Sequence, residues 1–402
     1  MKRKRRIILF RRAVRPLTEP IINPIKDLAE SGRLSGILLL LATVIALTWA
    51  NGPGGAEFLA FWEKKIGISP LEKTISHWIN DGLMAVFFFF VGLEIKRELL
   101  EGELSKWRQA LLPGGAAVGG AIFPAAIFLL FNANTTAVDG WAIPTATDIA
   151  FSLGMLSLLG DRVPFALKVL LTAIAVIDDF IAVIVIALFY THEIHLDMLL
   201  YAGLTLLPLM LLNYLKIRKF IFYLGPGLLL WFFVLKSGIH ATIAGVILAA
   251  MIPLIEVDDL EHALHKPVNY FIMPIFALAN TAIVLPSDLL ALLVSPLSFG
   301  IILGLFLGKP LGIVLMAWLL VKLGFAELPF GLRWRHIFGL GFTAGIGFTM
   351  SIFIASLSFD DVLFQNTSKL AIMVGTLLSG VVGLLWLVRV DKSLPSPELI
   401  EK

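Results

Sequence analysis

Apolar residues in this chain fall into long runs separated by charged or Gly/Pro-rich breaks, and the runs recur from one end to the other. Each is close to the ~20 residues a helix needs to cross roughly 30 Å of hydrocarbon. The pattern predicts twelve membrane-spanning helices, at about 35–50, 79–97, 109–131, 141–160, 164–190, 197–214, 220–235, 239–254, 267–286, 296–320, 336–358 and 368–389. An even number of spans puts both termini on one side. Lys and Arg then choose the side: 25 lie on the side of the N-terminus, five on the other, and Lys168 and Lys309 inside helices. Positive charge accumulates on cytoplasmic loops, so both termini are expected in the cytoplasm.

Composition agrees with this pattern. The chain has 402 residues, 58% hydrophobic and 15% charged, with mean hydropathy +0.91, against roughly 25% charged in a soluble domain. It contains no cysteine, which excludes disulfides, thiolate metal sites and a cysteine nucleophile. The expected fold class is an all-α polytopic membrane protein. A basic cytoplasmic N-terminal extension occupies 1–34, a single transmembrane domain 35–390 and a short cytoplasmic tail 391–402. The run Met1-Lys-Arg-Lys-Arg-Arg is too poor in apolar residues for a secretory signal. Beside a membrane its nearer partner is anionic lipid rather than nucleic acid, and it reads as a topology anchor. The longest polar connection, 51–78, leaves room for a small extracellular hairpin.

Four charged residues lie deep in apolar runs: Asp148, Asp178, Asp179 and Lys309. Unpaired in lipid they would cost on the order of 10–14 kcal/mol together, so each needs a partner or a use. Asp178 and Asp179 sit mid-helix in Ala-Val-Ile-Asp-Asp-Phe-Ile, with no base within a turn. Neighbours on a helix point ~100° apart, so both reach one cavity without facing each other. Two carboxylates in a low-dielectric site resist double ionisation, so one holds a proton until a cation displaces it. Carboxylate oxygens suit hard cations, and protons and a small alkali ion therefore compete for the same atoms. With one deep Lys available, two adjacent Asp leave at least one without a basic partner.

Asp148 follows Pro144, Thr145 and Thr147, poor helix formers in the fourth span. Gly339, Gly341, Gly345 and Gly347 interrupt the eleventh. Two broken spans are the mark of a midplane site between inverted repeats, here spans 3–5 and 10–12, an assignment that rests on position. Lys309 takes Asp148 or one of the pair as its counter-ion, and spacing does not choose between them; it reads as a proton carrier coupled to Asp148, with a structural salt bridge as the alternative. Glu94, Arg97 and neighbouring charges after the second span, with Glu256 to His265 before the ninth, are partly shielded and titratable, though such loops are more often ordinary ion pairs. His240, opening the eighth span, reads first as a hydrogen-bonded structural histidine.

Several strings resemble the NhaA-type sodium/proton antiporter family: Trp-Ile-Asn-Asp-Gly-Leu-Met-Ala-Val-Phe from Trp78, the stretch Trp141 to Phe151, Ala-Ile-Ala-Val-Ile-Asp-Asp at 173–179, Leu-Lys-Ser-Gly-Ile-His-Ala-Thr at 235–242, Gly-Lys-Pro-Leu-Gly at 308–312 and Gly-Ile-Gly-Phe-Thr-Met-Ser at 345–351. The resemblance covers about 31–390. It implies that Asp178 and Asp179 bind sodium or lithium and protons, that Thr147 and Asp148 shape the site, and that Lys309 supports it. It also implies electrogenic exchange, activation at alkaline pH, a homodimer in a bacterial cytoplasmic membrane, and no organic cofactor. Glu94 and Glu261 fall where the family keeps pH-responsive groups; Arg97, His262 and His240 are further candidates. Asp258 and Asp259 stand where basic residues are expected, and the N-terminal extension lies outside the family pattern.

Two rivals are weaker. An intramembrane aspartyl protease would show Tyr-Asp and Gly-x-Gly-Asp, whereas the chain has Thr147-Asp148 and Ile177-Asp178. A sodium-coupled solute symporter would line its pocket with groups for an organic substrate, and no such constellation is present.

Overall fold

The computed structural model describes residues 33–67, 71–191, 194–286 and 288–390. The basic extension up to residue 32 and the tail 391–402 lie outside the described residues. Helix α1 (Arg33–Ala50) is followed by α2 (Gly55–Glu63) and by an antiparallel pair, β1 (Lys65–Ile66) and β2 (Lys73–Thr74), where a hairpin was expected. Next come α3 (Ile75–Leu100) and α4 (Trp107–Asn132), then a 3₁₀ segment Val138–Thr145 that leads into α5 (Ile149–Leu158). The middle of the chain forms α6 (Phe165–Phe189), α7 (Leu196–Tyr214), α8 (Ile221–Lys236) and α9 (Ile243–Met251). It continues with α10 (Leu254–Pro267) and α11 (Met273–Asn280). Last are α12 (Pro296–Lys322), α13 (Trp334–Ala344), α14 (Phe348–Ser358) and α15 (Val362–Arg389).

Among the described residues, seven helices are long and apolar enough to cross a membrane, and eight if α13 and α14, bent by 47° at their break, form one span. The protein is an all-α, multi-pass membrane protein. The other four segments expected to span are shorter or broken by length alone: the 3₁₀ segment with α5, then α8, α9, and α11 behind a π turn at Val268–Ile272. Helix ends run past the apolar runs because capping and polar first turns carry no hydropathy signal. Helix α15 begins at Val362, six residues before the apolar run, with the Asp361 carboxylate accepting the Leu363 N–H at 2.7 Å. The segment Glu256 to His265 was expected as a charged loop and is instead helix α10, amphipathic with Val257 buried. Its polar majority hid a helical period.

Glycines on α12 bring the site together. Gly304, Gly308 and Gly312, four residues apart, put the α12 backbone against Pro124 and Gly119 of α4 and against Pro144 of the 3₁₀ segment. Small residues at this spacing let membrane helices approach closely without a hydrophobic driving force. The turn Gly304–Gly308 widens to a π helix immediately before Lys309, a distortion frequent at functional positions.

Candidate functional site

The two breaks cross. The chain is extended at Ala146 before α5, and Gly345 to Gly347 separate α13 from α14. The Asp148 N–H donates to the Ile346 carbonyl at 2.7 Å, tying one break to the other. Ser152 donates to the Thr343 carbonyl at 3.0 Å, and Ser351 to the Ile143 carbonyl at 2.7 Å. Backbone groups freed from helical bonding at this depth must be satisfied by protein, and these contacts do so. A Cβ on Gly347 would collide with Ser351 Oγ and stand 2.9 Å from the Leu305 side chain and 3.0 Å from the Ala146 carbonyl oxygen, so a side chain there would disturb the crossing.

Asp148 caps α5, its Oδ1 accepting the Phe151 N–H at 2.8 Å, while Oδ2 accepts the Thr349 N–H at 3.1 Å and the Thr349 hydroxyl. The carboxylate thus lies between the N-terminal turns of α5 and α14, where two helix dipoles favour negative charge. Lys309 is fully buried and takes Asp178, not Asp148 or Asp179, as its counter-ion, with Nζ 2.6 Å from Oδ2. Its ammonium also donates to the Thr145 carbonyl, an acceptor left free where the chain turns extended at Ala146. The Thr147 hydroxyl lies 2.7 Å from Asp178 Oδ2 and 2.8 Å from the Ala344 carbonyl oxygen, sharing its proton between them.

Asp179 differs. Both its oxygens are buried without a hydrogen-bond partner among the described residues, and so is Asp178 Oδ1. Asp179 and Asp148 line one cavity of about 120 Å³ with Glu94, Ser35, Asn269 and His265; Asp178 faces Lys309 instead. That volume holds several waters at ~10–15 Å³ each, and the acidic side chains in its otherwise largely apolar wall give them polar partners. Among the described residues, no three acidic or histidine side chains gather closely enough to hold a metal ion by themselves.

The candidate pH-responsive residues separate into two places. Arg97 joins Glu261 at 2.8 Å and Glu98 at 3.0 Å, clamping the end of α3 to α10, and Lys96 donates to the Ala250 carbonyl at 2.7 Å. Burial holds the Glu261 carboxyl above the ordinary range, with Asp258 and Glu98 adding to the effect and Arg97 opposing it. His265 is held below the usual imidazole value by desolvation and by His262 and Lys266. His262 is exposed on α10. His240 precedes α9, at the end away from the Lys96 contact, and is not part of this group.

Thr349 escaped the sequence reading although it closes the shell around Asp148. The available signal was its place two residues after Gly347, in a run that also carries Thr343 and Ser351. The acceptor role of Thr145 had no signal, because it belongs to the backbone.

Carboxylates, hydroxyls and one ammonium at a crossing of broken helices, inside a multi-pass apolar bundle, are the fittings of a secondary transporter of small cations rather than of an enzyme. A profile of the family described as Na+/H+ antiporter 1 matches residues 26–387. The chain belongs to that family. It is 51% identical over 375 residues to Na(+)/H(+) antiporter NhaA 2 of Flavobacterium johnsoniae, covering 90% of this chain and 92% of the relative. It is 50% identical over 367 residues to the NhaA antiporter of Dechloromonas aromatica, covering 89% and 93%. It is 45% identical over 420 residues to that of Oleidesulfovibrio alaskensis, covering 91% and 93%.

Proposed function

We propose that this protein exchanges sodium or lithium for protons, as its family does, by letting the two kinds of cation compete for the carboxylates at the helix crossing. The observation that carries this reading is the set of three buried carboxylate oxygens without partners, two on Asp179 and one on Asp178. An ionised carboxylate buried with no donor bears its full desolvation cost, so either a proton or a metal cation must neutralise it. Asp178 balances Lys309, and Asp148 is held by two helix N-termini, so Asp179 is the group left to switch.

The remaining roles follow from that assignment. The cation enters past Glu94 into the cavity shared by Asp179 and Asp148, and is bound by Asp179 with Asp178 Oδ1. Thr147 orients Asp178. A cation drawing Asp178 toward Asp179 weakens its hold on Lys309, which supplies the second proton that electrogenic exchange needs. Twelve spans, with the 3₁₀ segment and α5 as one interrupted span and α13 with α14 as the other, give two inverted repeats around this point. Cytoplasmic termini in a bacterial inner membrane, a homodimer, and pH regulation through Glu94, Arg97 and Glu261 belong to the same proposal on the family's precedent.

The test is a pH-gradient assay in everted membrane vesicles, adding sodium, lithium or potassium to wild type and Asp179→Asn. Sodium or lithium collapses the gradient in wild type and does nothing in the variant. Silence of the wild type across about pH 6–9, or full activity of Asp179→Asn, would sink the proposal.

A further inference from the structure

Away from the helix crossing, a groove of about 1170 Å³ opens where α4 and α6 begin, roofed by the segment after α12 from Gly324 to Phe330. It is larger than the roughly 300–1,000 Å³ of most small-molecule clefts. Its walls are the first turns of two membrane helices. It reaches Ala173, eight residues into α6, about 12 Å below the helix start at ~1.5 Å per residue. Trp107, Phe165 and Phe330 stand largely exposed around it. Three helix ends meet here, so the opening lies at a membrane–water interface, and exposed aromatic rings are what that level favours.

The rim is charged with both signs. Glu103, Arg108 and Glu327 line the groove, all three are exposed, and among the described residues no ion pair joins them to anything. One guanidinium and two carboxylates on the walls of one groove are complementary to a ligand carrying a phosphate and a primary ammonium. The apolar depth suits acyl chains. We propose that the groove holds one phosphatidylethanolamine-type phospholipid. Arg108 takes the phosphate, as guanidinium groups do by paired hydrogen bonds. Glu327 and Glu103 accept from the ammonium N–H groups, and the chains lie along α4 and α6. A purely anionic lipid meets the wrong net charge at this rim, and a choline headgroup has no N–H to donate. The assignment is independent of the ion site, because none of these residues touches it.

Native mass spectrometry of the full-length protein, released from detergent with phosphatidylethanolamine, phosphatidylcholine or phosphatidylglycerol of matched chains, tests it. Wild type retains phosphatidylethanolamine in preference to the other two. Arg108→Gln and Glu327→Gln each lower that retention about fivefold, the loss of one exposed charged contact, and Arg108→Lys keeps most of it. Glycerophosphoethanolamine, the headgroup without chains, does not displace the lipid. Equal retention of the three lipids would overturn the proposal, as would unchanged retention in both variants. So would displacement by the chainless headgroup. Binding that appears only after removal of residues 1–32 would assign the groove to that basic segment and equally overturn it.

Discussion

Asp178 and Asp179 share a peptide bond and differ completely in bonding: Asp178 Oδ2 receives Lys309 at 2.6 Å and Thr147 at 2.7 Å, while neither oxygen of Asp179 has a partner among the described residues. Helical geometry imposes the difference. The ~100° between successive side chains turns Asp178 toward α12 and Asp179 toward the cavity behind α3. One carboxylate thereby faces a buried ammonium through Oδ2, and the other faces the cavity with no basic partner among the described residues.

The two therefore respond differently to loss of charge. Asp178→Asn leaves the Lys309 ammonium buried without its counter-ion and is expected to cost about 3–5 kcal/mol, read as a clear fall in Tm in detergent. Asp179→Asn removes a carboxylate that nothing stabilises, so its Tm stays level or rises while exchange is lost. Equal destabilisation by the two variants would remove the distinction.

Thr349 holds Asp148 by its hydroxyl and its backbone N–H together. Thr349→Val keeps the N–H and deletes the hydroxyl, at roughly 1–3 kcal/mol for an acceptor left short. The expected readout is a raised KM for sodium in the vesicle assay, with Thr349→Ser restoring the wild-type value. A KM indifferent to both substitutions would show that the Asp148 charge does not act on the cation in the cavity it shares with Asp179.

Much of this site was legible because charge inside an apolar run is expensive enough to stand out, which singled out Asp148, Asp178, Asp179 and Lys309. The breaks were legible through Pro144 and the glycines from Gly339 to Gly347. Which carboxylate Lys309 chooses was not, since it depends on the π turn before Lys309 and on the glycine stripe that seats α12 against α4. Nor was the Asp148 to Ile346 bond, a backbone contact between segments almost two hundred residues apart. Helix α10 was missed for the opposite reason: charge suppressed the hydropathy signal over a regular amphipathic period.

The crossing itself depends on having no side chain at Gly347. A Cβ there would collide with Ser351 Oγ, which bonds the Ile143 carbonyl across the crossing, and would meet the Leu305 side chain at 2.9 Å and the Ala146 carbonyl at 3.0 Å. Gly347→Ala is expected to cost about 1–3 kcal/mol through overpacking and to impair exchange more than folding, because it pushes the two breaks apart. Thermal scanning and initial exchange rates on the same preparation check this, and an unaffected rate would mean the contact is compliant.

Glu261 gives a pH dependence of definite sign. Its carboxyl is raised in the folded protein, chiefly by burial and against the pull of Arg97, so the folded state binds its proton more tightly than the unfolded state does. That contribution to stability is fully present below the unfolded carboxyl value, near pH 4, and is lost as pH rises through the raised one. Over that interval wild type should lose Tm relative to Glu261→Gln. A difference that is flat with pH, or that grows in favour of wild type, would contradict the assignment.

Competition for a single carboxylate site can be read directly as proton release. Purified protein in weakly buffered detergent solution, held near the middle of its active pH range, is mixed with sodium, lithium or potassium chloride while pH is recorded. Sodium and lithium should each release protons to a saturating level, potassium should release none, and Asp179→Asn should stay silent with all three. Saturable sodium binding to wild type without proton release, or undiminished release from Asp179→Asn, would contradict exchange by competition at Asp179.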